Sequence, residues 1–347
     1  MSLNQEFLQS LPSDALVECV PNFSEGRRPE VIAAIRDAIA AVQGVQVLHV
    51  DPGAAANRTV ITLVGAPAAV VDAMLAGMKT CLKFVDMRTQ HGEHPRLGAI
   101  DVCPLVPLRN ITLKQTARLA HHLARRAADE LNLPIYCYEA AATHPERRLL
   151  ARVRRGEYEG IPKRLAAGDF PDYGPTEFQP TRGATILGAR PFLIAYNVNL
   201  ATADAKIARE IAKDVRESGR VVLNDAGEKQ RVSGSCKSLR AIGWYIEEYG
   251  RAQVSLNVTD MDQTPVHRAF EAVKTAAVKY GVAVTGSELI GLAPLRVFLE
   301  AGRFYANDPQ LPEAVAVPLA VERLGLTDLT PFRAEERIIE YLLDAPV

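Results

Sequence analysis

The chain has 347 residues, 48% of them hydrophobic and 23% charged, which is enough for two domains with separate cores and excludes a disordered or fibrous protein. Forty Lys and Arg against 41 Asp and Glu leave a net charge of −1, so nothing draws the whole molecule to nucleic acid or to an anionic membrane, and any anion site must be local. No run approaches the roughly 18 apolar residues of a membrane span and the first residues lack a signal-peptide pattern, so a cytoplasmic protein without membrane contact is expected. Cys19, Cys81, Cys103, Cys137 and Cys236 stand far apart with no Cys-x-x-Cys pair and read as buried small hydrophobes.

In chain order, residues 1–14 form an N-terminal extension. Leu16 to Val20 then reads as a strand, and Pro29 to Val42 as a helix with Val31, Ile35, Ile39 and Val42 on one face and Pro29 in its first turn. Val45 to Asp51 and Arg58 to Val64 read as strands, Pro67 to Lys83 as a second helix and Ala99 to Leu108 as a closing strand. A connecting region follows: an amphipathic helix from Ile111 to Leu131, a buried strand from Leu133 to Tyr138, and an Arg-rich helix from Pro145 to Arg155. Gly168 to Gly183, with Pro171, Gly174, Pro175 and Pro180, reads as a long loop. After it come strand Phe192 to Val198, helix Ala203 to Val215, strands Ala241 to Glu247 and Gln253 to Val258, helix Pro265 to Tyr280, and a strand from Val282 onward.

Both halves therefore run βαββαβ, which predicts an α/β (α+β) protein of two related ferredoxin-like split βαβ subdomains, 15–183 and 184–347, with an inserted connecting region. The segment Asp101 to Leu108 aligns with Glu288 to Leu295, each with an acid, two apolar residues and a Pro-Leu ending. From the helix-opening proline to that acid is 34 residues in the first half, Pro67 to Asp101, and 23 in the second, Pro265 to Glu288. The excess is the polar stretch from Asp86 to Arg96, a loop grafted onto one copy of a repeated scaffold, where function is expected.

That loop carries His91, Gly92, Glu93, His94, Pro95 and Arg96. Pro95 keeps it from continuing as a helix, and a loop imidazole with an ordinary pKa near 6.5 can transfer protons at neutral pH. A hydrogen-bonded surface loop is an equal alternative on these residues alone, and a metal reading lacks a third ligand at fitting spacing. His121 and His122 read as part of a solvated helix face, and His49, His144 and His267 are isolated. Phosphate-binding Gly-rich loops are absent, so no nucleotide is implied, and without a third ligand no metal is implied either.

The stretches Val17 to Gly26, Asn57-Arg58-Thr59-Val60, Gly92 to Ala99 followed by Asp101-Val102-Cys103-Pro104, and Arg155-Gly156-Glu157-Tyr158-Glu159 resemble glutamate formiminotransferases. So do Gly183-Ala184-Thr185, Ala195-Tyr196-Asn197, Ile242-Gly243-Trp244-Tyr245, Gln253-Val254-Ser255 and Glu336 to Leu342, so that the likeness covers roughly residues 15 to 345. The resemblance implies transfer of a formimino group from N-formimino-L-glutamate to N5 of tetrahydrofolate, in histidine degradation, with His94 as the catalytic residue. It implies folate as co-substrate on the loop Gly174-Pro175-Thr176-Glu177-Phe178-Gln179-Pro180-Thr181-Arg182-Gly183, and substrate contacts from Asn22, Asp51, Asn57, Arg58, Glu93, Arg96 and Asp101. It further implies a homodimer with a substrate groove between the subdomains. Mammalian relatives continue into a cyclodeaminase domain, so a separate cyclodeaminase partner is expected for a chain ending at Val347. Because both substrates are carboxylates, Arg58 and Arg96 are the expected clamps and Arg182 the folate contact. The cluster Arg147 to Arg155 is either a site for a polyglutamate tail or a solvated helix face. A folate-dependent glutamate formyltransferase and a non-catalytic folate-binding module stand as alternatives.

Overall fold

The computed structural model describes residues 3–54, 56–92, 94–224 and 227–344. The chain divides into two compact units, Met1–Pro191 and Phe192–Val347. The first contains helix α1 (Leu3–Gln9), strands β1 (Leu16–Cys19) and β2 (Asn22–Phe23), helix α2 (Pro29–Ala40), strands β3 (Val45–Gly53) and β4 (Arg58–Gly65), helix α3 (Pro67–Phe84) and strand β5 (Ile100–Arg109). It continues with α4 (Leu113–Leu131), β6 (Ile135–Glu139), the short helices α5 (Leu150–Val153) and α6 (Ile161–Ala166), and β7 (Thr185–Ala189).

β1 and β2 are two parts of one strand position, both paired antiparallel to β4 on one side and β5 on the other, with β3 outside β4. Beyond β5 the sheet continues in parallel through β7 to β6. The helices form where the sequence makes them cheap. α2 opens on Pro29 and buries Val31, Ile32, Ile35 and Ile39 along one face. α4 starts on a reciprocal capping box between Thr112 and Gln115 and stops at Asn132 in the left-handed region. Strand alternation splits the neighbourhood of β5 between two cores. Cys103, Cys137 and Leu187 join the large core with α2, α3 and α4, while Val102, Tyr138 and Ile186 face a smaller core with Leu97, Val153 and Ile161 from the connecting region. All five cysteines are buried and free.

The second unit comprises β8 (Ile194–Leu200), α7 (Ala205–Val215), the hairpin β9 (Arg220–Leu223) and β10 (Lys229–Val232), β11 (Leu239–Ile246), β12 (Arg251–Val258), α8 (Val266–Lys279), β13 (Val284–Ile290), and helices α9 (Leu295–Ala306), α10 (Glu313–Arg323), α11 (Ala334–Arg337) and α12 (Ile339–Asp344). Its sheet runs β11-β12-β8-β13, antiparallel throughout. Reading each repeat's strands as first to fourth, both units show the order second, third, first, fourth, the split βαβ arrangement anticipated from the two βαββαβ runs. Among the described residues no helix is long and apolar enough to cross a membrane.

Three features depart from the sequence expectation. β7 completes the first sheet, so the first unit runs to Pro191 and not to Gly183. The run Pro145 to Arg155 is not one helix. A 3₁₀ turn, Pro145–Arg148, and the single turn of α5 are divided by Leu149 in an extended conformation, and Arg147 is drawn inward to Asp169 and Asp172. The hairpin β9–β10 and the helices after β13 carried no sequence assignment.

In the second unit, Gly243 on β11 lies against α7 so closely that an added Cβ would sit 2.1 Å from the Arg209 nitrogen. Gly243→Ala therefore forces the helix off the sheet, and overpacking of this kind costs about 1–3 kcal/mol. Thermal unfolding should show Tm lowered by several degrees, with far-UV circular dichroism of the folded state unchanged.

Candidate functional site

Fifteen residues, 85–99, connect α3 to β5, whereas four, 280–283, connect α8 to β13 at the same point of the second repeat, an excess of eleven. The described residues of the inserted loop form no helix or strand, so their polar backbone groups must be satisfied by neighbours. Asn57 does much of this. Held at φ 48 in the β3–β4 turn, it donates from Nδ2 to the His91 carbonyl (2.9 Å) and accepts the Gly26 N–H at Oδ1 (3.0 Å), while its own carbonyl accepts from Gln90 Nε2 (2.9 Å). On the other flank, Met87 N–H donates to the Thr181 carbonyl (3.0 Å), Ala99 N–H to that of Arg182 (2.8 Å), and Ala184 N–H to that of Leu97 (3.1 Å). Gly98 and Gly183 form a bridge where the chains cross, and a Cβ on Gly98 would meet the Ala184 oxygen at 2.5 Å. The histidine loop and the Gly/Pro loop 174–183, far apart in sequence, thus lie side by side.

His94 is half-buried, and Arg58 Nη1 from β4 lies 2.5 Å from its Nε2. A guanidinium only donates, so Nε2 accepts and the ring proton belongs on Nδ1. Among the described residues Nδ1 is buried with no well-formed hydrogen bond, the Pro95 backbone giving only weak compensation. Burial first, then the charges of Arg58 and Arg154, push the imidazole pKa down to about 4. Burial likewise lowers the pKa of Arg58, against the attraction of Asp101 and Asp51. Among the described residues no carboxylate lies within ion-pair distance of Arg58.

Asp101 lies beneath this pair, fully buried at the β5 bulge opposite Asn22 and Phe23. Its carboxylate accepts from Arg154 Nη2 (2.6 Å) and from the Leu97 N–H (2.9 Å). Burial raises its pKa, and Arg154 is the largest opposing influence. Arg96, expected as a substrate clamp, is instead buried and held internally: it donates to Glu159 (2.6 and 2.9 Å) and to Gln90 Oε1 (3.0 Å), and the hydrogen bond to Glu159 raises its pKa. Arg182 points at the last carbonyls of α4, those of Leu131 and Asn132. Asn22 is buried and donates to the Val20 carbonyl (3.1 Å), and Asp51 is exposed at the end of β3. Glu93 lies outside the described residues.

On the Gly/Pro loop, Gly174 takes φ +85, Gln179 accepts the N–H groups of Arg182 and Gly183 through its carbonyl, and Thr176 and Glu177 complete an irregular path between Pro175 and Phe178. Phe178 packs on Tyr158 at 5.5 Å between ring centres, and Tyr158 donates its hydroxyl to the Pro180 carbonyl (2.6 Å). Two arginines of the connecting cluster are internal: Arg147 pairs with Asp169 (2.6 Å) and Asp172 (2.8 Å), and Arg154 with Asp101. Arg152 and Arg155 are exposed and line a cavity of about 680 Å³ with Arg164 and His144. His121, expected on a solvated face, is half-buried with Nδ1 3.1 Å from the Tyr173 hydroxyl. Sequence reasoning missed Arg154, Gln90 and Glu159. The signal for Arg154 was Asp101 itself, an acid in an apolar strand that needs a buried cation.

A repeated split βαβ scaffold with an imidazole on a loop inserted into one copy, backed by a buried acid–arginine pair, defines the class of protein. A model of the N-terminal subdomain of the formiminotransferase domain matches residues 16–190, and a model of the formiminotransferase domain matches residues 195–344. The chain belongs to the formiminotransferase family. It is 46% identical over 334 residues to the formimidoyltransferase-cyclodeaminase of Gallus gallus, an alignment covering 95% of this chain and 60% of that protein. It is 41% identical to the glutamate formimidoyltransferase of Streptococcus pyogenes, covering 84% of this chain and 93% of that one, and 38% identical to that of Thermoplasma acidophilum, covering 84% and 92%. The chain thus spans about 60% of the length of the formimidoyltransferase-cyclodeaminases it matches and nearly all of the glutamate formimidoyltransferases.

Neighbouring arginines should respond in opposite ways to removal. Arg154→Ala leaves Asp101 buried without its ion-pair partner, at a cost of about 3–5 kcal/mol. Arg155→Ala, on an exposed side chain, should change stability by no more than about 0.5 kcal/mol. Urea denaturation of the two variants checks the contrast.

Proposed function

We propose that this chain is a glutamate formimidoyltransferase, moving the formimino group of N-formimino-L-glutamate to N5 of tetrahydrofolate and releasing glutamate. The observation that carries the reading is the placement of His94, on an inserted loop with Arg58 at its Nε2, directly alongside the loop 174–183. Family membership and the names of the bacterial and archaeal relatives support the same reaction. Within the proposal, tetrahydrofolate is a co-substrate held by the loop from Gly174 to Gly183, where the Tyr158–Phe178 pair offers an aromatic surface. The cytoplasmic location, the homodimer and a cyclodeaminase acting on the product belong to the same proposal.

The chemistry needs one group that accepts and then returns a proton. N5 attacks the amidine carbon and forms a C–N bond, and His94 takes the N5 proton as the tetrahedral intermediate forms. The same proton then goes to the glutamate nitrogen, whose bond to carbon breaks, leaving the formimino group on N5 and His94 neutral again. Arg58 is placed to hold a carboxylate of the glutamyl donor, since Arg96, Arg147 and Arg154 are already paired with acids of the chain itself. Asn57 fixes the loop from beneath and acts as a positioning residue.

The assay that tests this is turnover of the purified chain with tetrahydrofolate and either N-formimino-L-glutamate or N-formyl-L-glutamate. Activity with the formimino donor alone is expected, activity with only the formyl donor overturns the donor assignment, and activity with neither overturns the enzyme reading. His94→Ala should lower kcat by roughly 10²–10⁴ with the fold intact, and His91→Ala, whose side chain is exposed, should stay within a few-fold of wild type.

A pH profile gives a separate check. His94 is a base only when neutral, and its pKa in the free protein is lowered to about 4. The acidic limb of kcat/KM, which reports the free enzyme, should fall as pH drops toward 4 and not near the ordinary imidazole value of about 6.5. Linkage has the same sign: neutral His94 favours the folded state, and that contribution is lost as pH falls from about 6.5 toward 4.

A further inference from the structure

In the resting site the lone pair a general base must use is occupied. Arg58 Nη1 lies 2.5 Å from His94 Nε2, and Nδ1, the other ring nitrogen, is buried with no well-formed hydrogen bond among the described residues. Arg58 also differs from the three paired arginines around the site. Arg96 is matched by Glu159, Arg147 by Asp169 and Asp172, and Arg154 by Asp101, whereas Arg58 has no acid at ion-pair distance among the described residues. Among the described residues the half-buried guanidinium bonds a neutral ring nitrogen and feels Asp101 and Asp51 only from beyond ion-pair distance, whereas a carboxylate would offer it two charge-assisted bonds in place of one neutral contact.

We propose that Arg58 is a substrate-operated latch on His94: a carboxylate of the glutamyl donor takes the guanidinium, withdraws it from Nε2, and so exposes the base only when the donor is in place. This rests on the formimidoyltransferase reading and deepens it, since it makes Arg58 the residue through which the donor's carboxylate is read. The step is an exchange of hydrogen bonds with no covalent change.

The electrostatics follow the geometry. Among the described residues two charged groups act on His94: Arg58 from β4, and Arg154 from the connecting region after α5, which is already paired with Asp101 of β5. Asp51 on β3 acts on Arg58 from the exposed side. Of the two cations that disfavour the imidazolium, Arg154 is locked to a buried acid and only Arg58 can change partner. A carboxylate on Arg58 therefore removes the second-largest influence lowering the His94 pKa and adds a negative charge nearby, so the pKa rises toward neutrality, where an imidazole shuttles protons best. A base kept weak while the site is empty becomes a competent one when the donor arrives.

The test uses glutarate, a dicarboxylate without an amidine, as the probe, with His94 followed by NMR in the full-length protein carrying ring-labelled histidine, and His94→Gln to assign its signal. In wild type the His94 pKa should lie near 4 without glutarate and rise by at least one unit at saturation. In Arg58→Gln the pKa should be higher without ligand and should not respond to glutarate. In Arg58→Lys, which keeps the charge and loses the planar fork, the shift should be smaller than in wild type. With the formimino donor, Arg58→Gln should raise KM at least tenfold and make the acidic limb of kcat coincide with that of kcat/KM. Glutarate that does not bind, or that binds to wild type without moving the His94 titration, overturns the latch, as does an Arg58→Gln enzyme with wild-type KM. The NMR arm needs no turnover. A shift without transferase activity sinks the proposed reaction and leaves the latch, and activity without a shift does the reverse.

Discussion

The site depends on one buried carboxylate. Asp101 lies on a central strand with no exposure to water, where an ionised carboxylate is costly unless charge and hydrogen bonds surround it. Its two principal partners come from two separate parts of the chain. The Leu97 N–H fixes the end of the inserted loop, and Arg154 brings the connecting region against β5. The same negative charge helps a half-buried Arg58 remain protonated beside His94. Packing of the loop, docking of the connecting region and the electrostatics of the imidazole are thus consequences of a single desolvated acid and what is needed to compensate it.

How much of this was legible in the sequence follows from which interactions are periodic or local. Strand order in both units could be read from two βαββαβ runs because core faces repeat every two or 3.6 residues, and the eleven-residue excess before β5 follows from counting between like landmarks. His94 could be singled out because its loop breaks the repeat. The fate of each arginine could not. Arg96 and Arg58 both look like clamps in sequence, and what separates them is Glu159, brought to Arg96 by a turn 63 residues downstream. Likewise Arg147, Arg152, Arg154 and Arg155 form one basic cluster in sequence but are divided in space by whether Asp101, Asp169 or Asp172 lies within reach. β7 was missed for a related reason. Thr185 to Ala189 has no polar alternation, because the strand is buried on both faces between β5 and β6.

A net charge near zero does not conflict with the proposed carboxylate substrates. Cations paired within the protein hold the loops in place and leave little field to spare, so in the proposed reaction ligand recognition falls to arginines with no acid partner among the described residues. Near His94 that is Arg58. Farther along the first unit, Arg152 and Arg155 are exposed at the cavity they share with Arg164, although Arg164 is itself paired with Asp169. Surface cations of this kind are screened by salt within a few ångströms to a nanometre, whereas a guanidinium packed against an imidazole is not, so the two would respond differently to ionic strength.

The second repeat shows what the inserted loop changes. Alignment of the two copies sets Asp101 over Glu288, and both acids lie near an asparagine on the first strand of their repeat, at the bulge opposite Asn22 in one case and paired with Asn197 in the other. Glu288 has only a four-residue connection nearby, stays half-exposed, and is served by Asn197 Nδ2 at 3.3 Å and the Tyr249 hydroxyl at 3.4 Å. Its remaining lone pairs are open to solvent, and among the described residues no arginine lies at ion-pair distance from it. The corresponding acid of the first repeat, bonded by the Leu97 N–H of the longer loop, is fully buried, and a buried carboxylate demands the cation that Arg154 supplies. The insertion therefore did more than add a histidine to an existing scaffold. It also goes with a buried acid and with surroundings in which burial first, then Arg58 and Arg154, hold the imidazole neutral.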